Sequence, residues 1–105
     1  MDNIKSILTW NELIDRDCQK LLREIKTGEE DLTKISEYGE NIRRDAESAL
    51  NEIPSVDKVS IEFREILKYL IYAGHAYSIG DISSASNWMD VIYNKYGDFY
   101  GYTNK

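Results

Sequence analysis

Apolar residues recur at steps of three and four in four stretches of this chain, with polar residues on the opposite stripes. In the first stretch Ile4, Ile7, Leu8, Ile14, Cys18, Leu21, Leu22 and Ile25 share one side of a 3.6-residue period, the mark of an amphipathic α-helix. It predicts a helix over about 3–26, capped by Asp2 or Asn3 and closed by Gly28, the residue type best suited to the left-handed turn at a helix end. A second helix is expected over about 30–51, with Leu32, Ile35, Tyr38, Ile42, Ala46, Ala49, Leu50 and Ile53 facing inward. Thr27 and Glu30 have capping-box spacing, and Glu29, Glu30 and Asp31 suit the positive pole of a helix. Gly39 weakens its interior by roughly 1 kcal/mol relative to Ala, and Pro54 drives the residue before it out of the helical region.

The third helix is expected over about 56–78. Ser55 is its natural N-cap, Asp57 falls in its first turn, and Val59, Phe63, Ile66, Leu67, Leu70, Ile71, Ala73, Gly74 and Tyr77 form its broad apolar face. As the most hydrophobic segment it belongs at the centre. Gly80 ends it, and Asp81 caps a fourth helix over about 82–96, with Ile82, Ala85, Trp88, Met89, Ile92, Tyr93 and Tyr96 inward and Gly97 at its end. The connections near 27–30, 52–56 and 79–81 are short, which favours antiparallel neighbours. The expected fold is therefore all-α: one antiparallel up-down four-helix bundle over residues 1–97, followed by an aromatic and polar tail over 98–105. The alternative is a three-helix core from which the first helix extends toward a partner.

Composition narrows the picture. A chain of 105 residues that is 42% hydrophobic and has one proline and six glycines can bury a core without disulfides or metals, and has too few turn residues for an all-β fold. Its net charge is −6; residues 1–54 hold 8 basic and 13 acidic residues, and 55–105 hold 5 and 6. That balance disfavours direct binding to nucleic-acid phosphates or to an anionic membrane. The most apolar run, 66–80, spans only 15 residues and includes Lys68 and His75, too short and polar for a bilayer. The opening Met-Asp-Asn-Ile-Lys-Ser has no apolar signal core after a basic start, and Cys18 has no second cysteine to pair with; a reducing, cytoplasmic setting is the expectation.

Candidate chemistry is sparse. A di-iron carboxylate bundle needs Glu-x-x-His motifs, but Tyr72 stands three residues before His75, the only histidine. One His and one Cys do not make a structural zinc site. Glu29 to Asp31 lack the alternating twelve-residue pattern of a calcium loop, and no Gly-rich stretch precedes a Lys-Ser/Thr pair to cradle phosphate. His75 lacks an apolar-face carboxylate at helical spacing, and Cys18 falls among core positions, where a thiol is ordinarily inert. No catalytic residue, cofactor or metal is therefore expected.

The tyrosines stand out. Seven of the eight lie after residue 68: Tyr69, Tyr72, Tyr77, Tyr93, Tyr96, Tyr100 and Tyr102. With Trp10, Trp88 and Phe99 they exceed what one small core needs. Tyr and Trp bury large areas at low entropic cost and keep a polar handle, which suits protein interfaces; the plainer alternative is that the rings cover the bundle's edge. Tyr69, Tyr72, Trp88, Tyr93, Tyr96 and Tyr100 are the candidate contact residues.

The stretch Tyr69-x3-Ala73-x6-Gly80-Asp81-x3-Ala85 resembles the helical hairpin of a small all-helical archaeal protein family of unknown function; its Gly-Asp-x3-Ala spacing also resembles the turn of a tetratricopeptide-type hairpin. The resemblance implies a helical fold and brings no catalytic residue. The expected function is that of a non-catalytic interaction module that binds a protein partner or a second copy of itself through its aromatic C-terminal half. Two alternatives are an acidic regulator of a nucleic-acid-related system acting by charge mimicry, and a small enzyme with a pocket between helices.

Overall fold

The computed structural model describes residues 3–28 and 31–102. Within them lie four α-helices, α1 (Asn3–Lys26), α2 (Leu32–Glu52), α3 (Lys58–Ser78) and α4 (Ile82–Tyr96), and no strand longer than an isolated Phe99–Tyr102 bridge. The all-α four-helix reading holds. The expected starts of α2 and α3 shift, for electrostatic reasons. Asp31 caps α2, its carboxylate accepting from the backbone N–H groups of Thr33 and Lys34. Thr27 instead closes α1 by donating to the Glu24 carbonyl, and the Glu29 and Glu30 of the expected capping box lie outside the described residues. At α3 the cap is Asp57, not Ser55. Asp57 accepts from the Ser60 N–H at 2.8 Å while Ser60 Oγ accepts from the Asp57 N–H at 3.0 Å. A carboxylate at the positive helix end, answered by a reciprocal bond, outcompetes a lone hydroxyl two residues earlier.

The turns are closed as tightly. Gly80 adopts φ +79°, and the Asp81 N–H reaches back to the Ala76 carbonyl at 2.9 Å, so the helix end is satisfied within the chain. Between α2 and α3, the Arg64 guanidinium donates to the Leu50 and Ile53 carbonyls, occupying acceptors that the end of α2 leaves open.

The helices pack in chain order. The central pair is α2 and α3, where Gly39 and Gly74 face each other. A Cβ on Gly39 would stand 2.6 Å from Tyr77 Cβ, and one on Gly74 would stand 2.7 Å from the Gly39 carbonyl oxygen. Only hydrogen fits at either place, so the helical cost of Gly39 is offset by close backbone approach. α1 lies along α2 and α4 along α3, and the core runs between them through Ile14, Leu21, Ile35, Ile42, Leu67, Leu70, Tyr77, Met89 and Ile92. Since α1 buries Ile14, Cys18 and Leu21, it belongs to the bundle and does not project from a three-helix core.

The bundle is not a closed square. No Cα of α1 lies within 8 Å of one in α4, and residues 98–102 stand between them. Gly97 (φ +86°) turns the chain back, the Tyr100 hydroxyl donates to Asn11 on α1 and the Tyr102 hydroxyl donates to Asp90 on α4. Ile4, Leu8, Leu32 and Val59, expected on inward faces, are exposed. All four lie in the first two turns of their helices, where the period continues but no neighbouring helix covers it.

Substituting Gly74→Ala tests the central contact. Helix propensity alone favours Ala by about 1 kcal/mol, yet the clash with the α2 backbone is expected to leave a net loss of about 2 kcal/mol, a fall in Tm of roughly 10 °C for a domain of this size. Thermal unfolding followed by circular dichroism reads the sign directly; a rise in Tm would mean the helices are not in backbone contact.

Candidate interaction surface

α3 and α4 are amphipathic in register, so their side chains interleave along one outer seam. There Trp88 of α4 lies between two tyrosines of α3: its ring stacks on Tyr69 at 5.9 Å between centroids and tilts against Tyr72 at 4.9 Å. Such pairs contribute about 0.5–1.5 kcal/mol beyond area burial. Tyr72 nevertheless remains 53% exposed, and the whole cluster sits at the surface.

The other candidates lie elsewhere. Tyr93 meets Tyr102 edge-on at 6.3 Å. The Tyr96 hydroxyl donates to Glu65 at 2.9 Å, beside the Lys95 ammonium that pairs with the same carboxylate. Those two bonds hold Glu65 below the usual carboxylate range, the lysine contributing most. Tyr100 faces inward against α1, and burial, with Cys18 and Asp15 nearby, raises its hydroxyl pKa. Burial and the bond to Asp90 push Tyr102 up to about 12. The six sequence candidates thus divide: Tyr69, Tyr72 and Trp88 form one cluster, Tyr96 ties α4 to α3 through Glu65, and Tyr93 and Tyr100 meet or hold the C-terminal segment.

Beside the cluster, between α2 and α3, opens a shallow cleft of about 510 Å³ lined by Glu40, Arg43, Glu47, Tyr72, His75 and Ser78, with Ile71. Arg43 bridges Glu40 and Glu47, and its hydrogen bond holds the Glu40 carboxyl below its ordinary value. His75 is exposed, and Ser78 Oγ donates to the His75 carbonyl at 2.6 Å, not to its ring. Those contacts assemble no nucleophile–base pair. Cys18 is fully buried and burial, followed by repulsion from Asp17 and Asp15, raises its pKa strongly, so it stays a protonated thiol. Among the described residues no three His, Cys, Asp or Glu side chains are grouped to hold a metal ion, and no helix is long and apolar enough to cross a membrane.

One feature was beyond the reach of sequence reasoning. Asp17 of α1 and Asp45 of α2 meet across the helix interface, and burial, then the hydrogen bond and repulsion from Asp45, lift the Asp17 pKa from 3.8 to about 6. Each stands one residue before a core position, Cys18 and Ala46, but only the α1–α2 register brings them together.

A raised folded-state pKa means that the folded chain retains a proton which the unfolded chain releases. This contribution is fully present below the unfolded value of 3.8 and is lost as pH rises through about 6. Asp17→Asn is expected to stabilise the fold at pH 7.5 by about 1 kcal/mol, after discounting for the solvent that reaches the pair. The advantage vanishes by about pH 4. Urea unfolding across that range tests it; a stabilisation independent of pH would show that the pair does not titrate.

No family model matches the chain, and comparison with curated proteins and with solved structures gives no significant match.

Proposed function

We propose that this chain is a non-catalytic helical module that binds another protein, or a second copy of itself, through the seam between α3 and α4 centred on Trp88. The observation that carries the reading is the surface cluster itself: an indole between two phenol rings, one of them 53% exposed. Rings of this kind are already ordered by one another, so a partner that covers them loses little further side-chain entropy. Trp and Tyr dominate the energy of protein interfaces for that reason, together with the polar group each keeps at its tip. Charge favours the aromatic seam over acidic mimicry to the extent that Arg43 pairs with Glu40 and Glu47 and offsets one of their two negative charges. The reading includes a cytoplasmic location, consistent with a single buried thiol, and no direct contact with nucleic acid or membrane.

Sedimentation velocity of the pure chain, and capture from host extract on immobilised chain, together test it. Tyr72→Ala removes an exposed ring and is expected to leave helicity intact while weakening the association, whether with a partner or with itself, by roughly 30-fold, the size of an interface hot spot. Retention of the same species at the same strength by Tyr72→Ala and Tyr69→Ala would contradict the proposal.

A further inference from the structure

Toward the N-terminal end of α3, a second surface is left open by the mismatch in helix lengths. α1 has 24 residues and α3 has 21, but α4 has only 15, a shortfall of about 9–14 Å at 1.5 Å per residue. α4 ends where Lys95 and Tyr96 meet Glu65, two turns into α3, and Gly97 then reverses the chain. α1 and α3 each run antiparallel to α2, so their N-terminal ends lie together beyond that point.

The exposed stripes there continue a cleft. Asn11 and Asp15 of α1, and Phe63 and Ile66 of α3, line an opening of about 450 Å³ together with Phe99 and Asp98. Stepping back along α1 by three and then four residues from Asn11 reaches Leu8 and Ile4; stepping back four from Phe63 reaches Val59. Residues so spaced share a helix face. They are 62%, 57% and 55% exposed. The cleft's floor is therefore apolar and extends toward the open end of the bundle. Its charged members are Asp15 and Asp98, and no lysine or arginine lines it among the described residues; at its edge Lys95 and Glu62 act on the Tyr96 hydroxyl with opposite signs.

We propose that this groove between the N-terminal halves of α1 and α3 docks an amphipathic helix of a protein partner, apolar on one stripe and flanked by lysine or arginine. The occupant is helical because the slot continues the line that α4 abandons, between two helices already spaced to receive a third. It is basic because the groove's charged lining is acidic. A second copy of a chain with net charge −6 lacks that complementarity. The groove and the Trp88 seam share no residue, so each is separately testable.

The probe is a fluorescein-labelled 18-residue amphipathic peptide of leucine and lysine, titrated with the full chain at physiological salt, with a leucine–glutamate peptide of the same pattern as its counterpart. The lysine peptide is expected to bind saturably at one per chain and the glutamate peptide not at all. Leu8→Ser and Val59→Ser should each weaken binding tenfold or more with unchanged circular dichroism, and Asp98→Asn should weaken it several-fold. Ile79→Ser, which removes an equally exposed apolar residue at the other end of α3, and Tyr72→Ala should leave it unchanged. Absence of binding, equal weakening by Ile79→Ser, or indifference to Leu8→Ser and Val59→Ser would overturn the proposal. So would a dimer of the free chain that Leu8→Ser dissolves, because the occupant would then be a second copy.

Discussion

The backbones of α2 and α3 touch where no side chain fits, and the rest of the bundle is arranged around that contact. With Gly39 and Gly74 face to face, the two helices approach more closely than residues with a Cβ permit. The approach brings Tyr77 against α2 and seats Ile35, Ile42, Leu67 and Leu70 in one dry layer. It also fixes the turn between them: Arg64, one turn beyond the Asp57–Ser60 capping box, can reach the carbonyls at the end of α2 only because the helices are this near. α1 then packs on α2 and α4 on α3, and the C-terminal segment fills the gap between them.

This arrangement determines what is left for function. The clefts described at the surface are shallow; the thiol and the inward phenols are held protonated by burial. A bundle of this kind presents surfaces instead of a pocket. One is the ordered aromatic seam of α3 and α4. The other follows from the short α4, whose early end exposes apolar stripes that a longer helix would have covered. Both surfaces meet on α3, the helix with the highest share of apolar residues, because its apolar positions are too many for α2 and α4 alone to cover.

The helices and most of the core were legible from the 3.6-residue period. Gly80 and Asp81 were legible as a stop and a start because each has a single strong conformational preference. The cap of α3 is Asp57 and not Ser55, since a sequence shows which residues are able to cap but not which of two nearby candidates gains the reciprocal bond. Gly39 read only as a weak point, since its benefit is a distance to Gly74, 35 positions away. The tyrosines were legible as a surplus but not as separate groups: whether Tyr100 faces solvent or Asn11 depends on Gly97 reversing the chain. The Asp17–Asp45 pair was illegible for the same reason, as register between helices is set by packing and not by local pattern.

Native-state hydrogen exchange measures the central contact most directly. If the Gly39–Gly74 approach organises the fold, the amides around it, from Gly39 to Arg43 and from Gly74 to Tyr77, exchange only when the whole chain unfolds and share the free energy of global unfolding. Exchange of these amides through a local opening of lower energy, while amides of α1 remain protected, would contradict the account.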